Sequence, residues 1–334
     1  MRASGSAATE TGLGRVLYDA AATATLAPSI LNTQPWRWRV QRSSVELYAD
    51  PDRQIVSIDP HRRLLILSCG GALHHACVAL RARGFQPDVS RMPDSADPDL
   101  LARIRVSGPR DVQPADLAEA EAISRRRTDR RVIAATAPVQ ERDIDLLRQA
   151  ADEHGVQLHL VTADQKPFLA AAAAKAQTIQ DHDEEYQRDL KAWTVDRPRD
   201  EGVPVETLVA DPPRPVPLRD FAGGAEMALR PGLAADKYAD FIILATPVDE
   251  PVDWLRGGEA MSAVWLTATV NTLAASVLSN VIEVPGARAL IASLLPGHLH
   301  PQLVIRIGIE DSPTPPLASP RRLADTIIDV VNRD

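Results

Sequence analysis

Two cysteines, Cys69 and Cys77, are all the thiol chemistry in a chain of 334 residues. That is too few for a disulfide framework and points to a reducing compartment, the cytoplasm. Both fall on one expected helix, where a rise of about 1.5 Å per residue holds them roughly 12 Å apart, beyond disulfide reach. No run of eighteen apolar residues is present, so no membrane-spanning helix is expected. The opening MRASGSAATETG has no apolar core, so no signal peptide is expected either. HExxH, CxxC, GxSxG and Walker patterns are missing, and GLG at 12–14 lacks the third glycine of a dinucleotide fingerprint. His74 and His75 stand near Cys77 on a helix, but neighbouring helical positions face different ways, so no metal site is expected. His298 and His300 flank a Gly-Leu loop and are expected at the surface. A net charge of -8 argues against nucleic acid and anionic membranes as main partners.

What remains is ordinary globular composition, 45% hydrophobic and 25% charged, enough for one large or two medium domains. Helices are expected over residues 11–26, 64–83 (closed by Gly84), 112–122, 140–154, 170–193, 257–278 and 325–331. In the 140–154 helix, Leu146, Leu147, Ala150 and Ala151 are expected to face inward. Strands are expected over 36–40, 46–48, 102–106, 156–161, 240–246 and 303–307. Between 196 and 219 stand six prolines, Pro198, Pro204, Pro212, Pro213, Pro215 and Pro217, which imply an extended connector. Trp36, Trp38, Trp254 and Trp265 are expected in the core.

One segment is out of keeping with an acidic chain. SRRRTDRRVI, residues 124–133, packs five arginines into seven positions: Arg125, Arg126, Arg127, Arg130 and Arg131. Such a knot repels itself unless an anion sits in it, and guanidinium groups suit phosphate oxygens. A solvated charged face and a basic helix on nucleic acid are the competing readings.

The halves of the chain also resemble each other in order. VLYDAA at 16–21 answers LLRQAA at 146–151, WRV at 38–40 answers LHL at 158–160, Gly70-Gly71 answers Gly257-Gly258, and ARIRV at 102–106 answers LVIRI at 303–307. Each match is weak; the constant order is the signal. The changing offsets place an insertion of about 67 residues between 162 and 239 of the second half. The arginine knot has no counterpart ahead of the first helix, and APSILNTQPW none in the second half, as expected if two motifs complete one site.

RRTDR at 126–130 resembles the Arg-Arg-Ser-x-Arg signature of the FMN-dependent nitroreductase family. APSILNTQPW at 27–36 resembles its Ala-Pro-Ser-x-x-Asn-x-Gln-Pro-Trp signature. With the two halves, the resemblance is to the Acg-type branch and covers most of residues 12–331. It implies an α+β nitroreductase-like fold with sheets flanked by helices and an intrachain pseudo-dimer: a first half over 1–110, a second over 111–334, and a lid-like insertion at about 165–235. It implies one FMN per chain. Arg126, Arg127, Thr128 and Arg130 would hold its phosphate and pyrimidine edge, Pro28, Ser29 and Asn32 would meet the ring, and Arg321 or Arg322 would add to the phosphate. A backbone turn near Leu278, Ser279 and Asn280 would approach flavin N5, which carries the chemistry in place of a catalytic side chain.

The function so implied is transfer of hydride from NAD(P)H to the flavin, then to a nitroaromatic or quinone. The alternative is storage of FMN beneath the lid with little NAD(P)H turnover; nucleic-acid binding through residues 125–131 is the third. The partners expected are a small-molecule electron donor and acceptor, with the protein a monomer or weak homodimer.

Overall fold

In the computed structural model the described residues are 4–331, except 134–136, 195–199, 209–213, 220, 222–235 and 311–313. Pro198, Pro212, Pro213 and the end of the expected lid thus lie outside them. Helix α1 (Ser4–Ala24) leads through a 3-10 turn at Ile30–Asn32 into strands β1 (Trp36–Val40) and β2 (Ser44–Ala49). Next come α2 (Arg63–Arg81), β3 (Phe85–Arg91), β4 (Leu100–Pro109) and α3 (Pro114–Arg125). The chain goes on through α4 (Glu141–Asp152), β5 (Gln157–Leu160), α5 (Lys166–Asp181), α6 (Glu184–Ala192) and β6 (Asp240–Thr246). It ends with α7 (Pro251–Val270), β7 (Leu273–Val277), α8 (Asn280–Glu283), α9 (Pro285–Ala292), β8 (His300–Ile309) and β9 (Ile328–Val330).

The fold is α+β, with two sheets ordered β3-β4-β2-β1-β9 and β7-β8-β6-β5. Set side by side, α1-β1-β2-α2-β3-β4 and α4-β5-β6-α7-β7-β8 run through the same element types and pair their strands in the same order. The first sheet gains one strand from the far end of the chain, since β9 pairs parallel with β1, Trp38 opposite Ile328. In β1 the outward arginines Arg37 and Arg39 alternate with buried Trp36, Trp38 and Val40, the period-two pattern of a sheet with one wet face. The second sheet is covered on both faces, by α4 and α7 on one and α5, α8 and α9 on the other, so β6 is apolar from Phe241 to Ala245.

Between the sheets α2 lies along α7, and glycine makes the approach possible. A Cβ at Gly70 would stand 2.0 Å from the Leu255 carbonyl oxygen, and one at Gly258 would stand 1.8 Å from that of Leu67. One turn on, His74 Nδ1 is 2.9 Å from Ser262 Oγ. The contacts pair 70 with 258 and 74 with 262, so the register is one residue longer than the Gly70-to-Gly257 match in sequence. By length and hydropathy α2 could cross a membrane, although His74 and His75 break its apolar run; 94% of its most apolar stretch is buried inside the protein. The cysteines on it are free and buried.

Several expected elements differ. β3 was not foreseen: Pro87 spoils its pattern, but as an edge strand it needs hydrogen bonds on one side only. The helix expected over 170–193 is two, because Asp183 starts a new one by accepting from the Glu185 and Tyr186 amides. The helix expected over 257–278 starts at Pro251 and stops at Val270; Thr272, with φ of 54°, turns the chain back as β7. The segment expected as a closing helix, 325–331, is a short 3-10 turn followed by β9. In α4 the inward face is Ile144, Leu147 and Ala151, while Leu146 is exposed.

The β1–β2 hairpin turns in residues 41–43; the matching β5–β6 interval runs over 161–239 and holds α5 and α6. From this interval Tyr186, Leu190, Trp193, Val203 and Leu208 pack on Leu31, Ile55 and Ile58.

Candidate active site

The segment after α1 departs from ordinary backbone geometry. Leu31, Asn32 and Gln34 all take left-handed φ, at 43°, 55° and 50°. Strain of that kind persists only where surroundings over-determine it. Ser29 Oγ accepts from the Gln34 amide at 2.9 Å, and Ser68 Oγ accepts from the Ile30 amide at 3.0 Å. Buried Asn32 donates to the Gly202 and Pro320 carbonyls at 2.9 and 3.1 Å and accepts from Arg321 at 3.1 Å. Gln34 donates to the Asp200 carbonyl and accepts from the Arg322 amide. The loop therefore ties the 161–239 interval and the C-terminal segment to the first sheet.

The arginine segment leaves α3 and runs along the edge of β7, where the Asp129 amide donates to the Ala275 carbonyl at 3.0 Å. Fully buried Arg306 on β8 fixes it, donating to the carbonyls of Asp129 and Arg131 at 2.6 and 2.8 Å. Arg306 also pairs with Asp236 at 2.7 Å; Arg214 pairs with the same carboxylate and donates to the Arg130 carbonyl. Asp129 takes both its oxygens to Arg131. The knot is thus sorted by role: Arg125 is exposed, Arg131 is paired, and Arg126 and Arg130 are left to face a cleft.

That cleft has a cavity volume of about 100 Å³. Arg126, Thr128 and Arg130 line it, with Pro28, Ser29 and Asn32 from the loop after α1, Ser279 from the turn before α8, and Arg321 from the C-terminal segment. Eight of the twelve residues singled out in the sequence thus come together; Asn280, buried in α8, does not line the cleft. Leu278 does not: its amide donates to Val304 and its side chain lies in the core. Arg127 folds back to the Ser124 and Arg126 carbonyls, and Arg322 turns to Gln34 and Asp50.

Others were missed. Leu64 and Ser68 of α2 and Met261 of α7 form wall, as does Trp265, which was expected only in the core. Trp265 also carries the Arg126 guanidinium 4.7 Å from its ring centroid. Val203, Arg219 and Phe221 come from the 161–239 interval; Phe221 lies 4.8 Å from Arg130 and 5.5 Å from Arg219. Neither aromatic has a local sequence signal that separates wall from core.

The electrostatics are one-sided. Burial, then repulsion from Arg321 and Arg127, pulls the pKa of Arg126 down to about 9. Burial and the neighbouring Arg219 bring Arg130 down to about 10, and burial with Arg127 does the same to Arg321. Burial also opposes the charge on Arg219, but its pairing with Glu283 outweighs this and its pKa is raised. Among the described residues no carboxylate pairs with Arg126, Arg130 or Arg321. At and beside the cleft, buried N–H groups without an acceptor remain on four arginines: Nε and Nη1 of Arg126, Nε of Arg127, Nε of Arg321 and Nη1 of Arg219; such a group also occurs away from it, as at Nε of Arg62. Such groups cost free energy unless a ligand meets them. Among the described residues no group of His, Cys, Asp and Glu could hold a metal.

No family model matches the sequence. The chain is 42% identical over 310 residues to "Putative NAD(P)H nitroreductase Rv3131" of Mycobacterium tuberculosis, covering 91% of this chain and 88% of that one. It is 34% identical over 326 residues to "Putative NAD(P)H nitroreductase acg" of the same organism, covering 96% and 97%. Among solved structures, the "FMN and NADPH-dependent nitroreductase NfnB" from "sphigopyxis sp. strain HMH" aligns with a TM-score of 0.40 at 16% identity, covering 63% of this chain and 97% of that one. At these identities and this coverage of the mycobacterial relatives, the chain belongs to the nitroreductase family, on the branch that includes Acg.

Proposed function

We propose that the cleft binds FMN and that the protein is an FMN-dependent NAD(P)H oxidoreductase of the nitroreductase type. One observation carries this reading: guanidinium groups of a single cleft hold buried N–H donors with no acceptor. A phosphomonoester supplies such acceptors, and each charge-assisted hydrogen bond contributes about 1.5–3 kcal/mol. Arg126, Thr128, Arg130 and Arg321 would hold the phosphate and the polar edge of the flavin. Pro28 and Ser29 would bound the ring from the other side, with Ser279 beside it. Asn32 would act through Arg321 and the chain segments it ties together. The bound flavin would take hydride from a reduced nicotinamide and pass electrons to a nitroaromatic or quinone; the protein supplies orientation and positive charge. In this reading the two matching sets of elements form an intrachain pseudo-dimer, divided near residue 110, with one motif from each part.

The test is the visible spectrum of the purified protein. FMN near one per chain, bleached by anaerobic NADPH and restored by a nitroaromatic or quinone, is the expected result. Colourless protein that takes up no added FMN would overturn the reading.

A second reading is FMN storage, favoured by the cover that Val203, Arg219 and Phe221 give the cleft and by the buried Arg219–Glu283 pair. It expects bound FMN that NADPH leaves oxidised over minutes; rapid bleaching would exclude it. Nucleic-acid binding loses ground, since of the five arginines only Arg125 is exposed.

A further inference from the structure

His75 is fully buried on α2, and neither of its ring nitrogens has a hydrogen-bond partner. Its neighbour His74, equally enclosed, has Ser262 Oγ 2.9 Å from Nδ1, and its Nε2 stands 3.4 Å from a Glu119 carboxylate oxygen. The stripe of α2 that carries His75 runs along the cleft. Leu64 and Ser68 line it, and a Cβ at Gly71 would meet Met261 Cε at 3.1 Å and the Pro28 carbonyl oxygen at 3.7 Å, both belonging to wall residues. His75 is one turn beyond Gly71. On α7, in the same register, Trp265 is one turn beyond Met261 and carries the Arg126 guanidinium. His75 thus falls behind the cleft wall, where α2 meets α7 at the arginine end, and does not itself line the cleft.

The charges around it agree. Burial first, then Arg126, with His74 and Arg321, holds the ring pKa well below its ordinary value. The ring is therefore neutral, with one N–H to give and one lone pair. Arg126, Arg127 and Arg321 present buried N–H groups in the same condition. A further cation here would add to their repulsion, whereas a neutral imidazole adds a donor without adding charge.

We infer that His75 belongs to the anion site and donates a ring N–H to the phosphomonoester that the arginines hold. This rests on the FMN reading above, and it gives α2 a binding role that neither sequence motif suggests. It separates FMN from riboflavin, which lacks the phosphate.

The experiment is titration of ligand-free protein by quenching of flavin fluorescence, with FMN and riboflavin as probes and His75→Leu, His75→Asn and Arg126→Ala as variants. His75→Leu should bind FMN roughly tenfold more weakly, the loss of one hydrogen bond, with riboflavin unchanged. His75→Asn, which keeps an N–H, should recover most of the difference. Native FMN affinity in His75→Leu, or equal loss of FMN and riboflavin, would overturn the inference. Unchanged FMN binding in Arg126→Ala would overturn the cofactor reading itself, a separate result. Should His75→Leu fail to fold, native protein labelled with 15N-histidine decides: FMN should shift the His75 ring nitrogens and riboflavin should not, and no shift with FMN rejects the role.

Discussion

Arg126 shows how a residue can be costly to the fold and useful to the site. It is 6% exposed, has no carboxylate partner among the described residues, and leans on Trp265 for what compensation it has. Arg126→Met should therefore stabilise the ligand-free protein by about 1–3 kcal/mol, as apolar replacement of buried charge often does. It should also weaken FMN binding by roughly ten- to a hundredfold. Thermal unfolding with and without FMN checks both signs; lower stability in both states would contradict the account. The pH dependence follows from the lowered pKa of about 9 against an ordinary 12.5. Between these values the folded protein binds fewer protons than the unfolded chain, so ligand-free stability gains with rising pH. FMN affinity should fall as pH passes about 9, because the free clamp loses its charge, while riboflavin affinity stays level. At this scale the sequence was informative where chemistry is dense: five arginines in seven positions of an acidic chain mark out the segment that brings Arg126, Thr128 and Arg130 to the cleft. Arg219, Phe221 and Trp265 were illegible, because a single arginine or aromatic becomes wall or core only through what packs against it.

At the scale of elements, the site depends on parts that never touch its ligand. Arg306 lies in the apolar run of β8, where sequence reads only a strand, yet it holds two carbonyls of the arginine loop. Arg306→Met leaves Asp236 with Arg214 and the Ile133 amide and removes two of the loop's tethers. It should cost about 3–5 kcal/mol, the usual penalty for breaking a buried pair, and lower FMN affinity although Arg306 does not line the cleft. Calorimetric titration of FMN into the variant checks this; native affinity would show that the loop holds itself. The helix crossing is as demanding. Gly258→Ala places a methyl 1.8 Å from a backbone oxygen, so α2 and α7 must part, costing more than about 3 kcal/mol in a urea unfolding experiment. The Gly-Gly pairs were visible in the sequence, but their contact register was not, since it is set by which faces meet. The errors over 273–277 and 325–331 share a cause. Both are short strands whose partners, β8 and β1, are distant in sequence, and local spacing alone reads them as helix.

For the whole molecule, the matching of elements bears on how many ligands one chain can hold. Val89 lies opposite Ile104 and Val277 opposite Ile305, so Arg91 stands in the first set of elements where Ser279 stands in the second. Along the central helices Glu259 matches Gly71, and Cys77 matches Trp265. The cleft residues Ser279 and Trp265, and Gly71 behind Pro28, therefore have Arg91, Cys77 and Glu259 as counterparts. Those counterparts form a closed cluster. Arg91 donates twice to Glu259 at 2.7 and 2.8 Å, Glu259 is 2% exposed, and the rings of His154 and His74 meet edge to face beside it. A buried carboxylate repels phosphate, and no second arginine knot is present in the sequence. One FMN per chain is the expected stoichiometry. Since both motifs of the site lie in one polypeptide, occupancy at a fixed free FMN concentration should not fall as the protein is diluted, as it would for a site shared between subunits. Asn32→Ala and Arg126→Ala, altering opposite sides of the cleft, should each lower that occupancy. Titration to two FMN per chain, loss of flavin on dilution of the protein at fixed free FMN, or sensitivity to only one of the two substitutions would each defeat the single shared cleft, and each can be read from the flavin absorbance of the native protein or its variants.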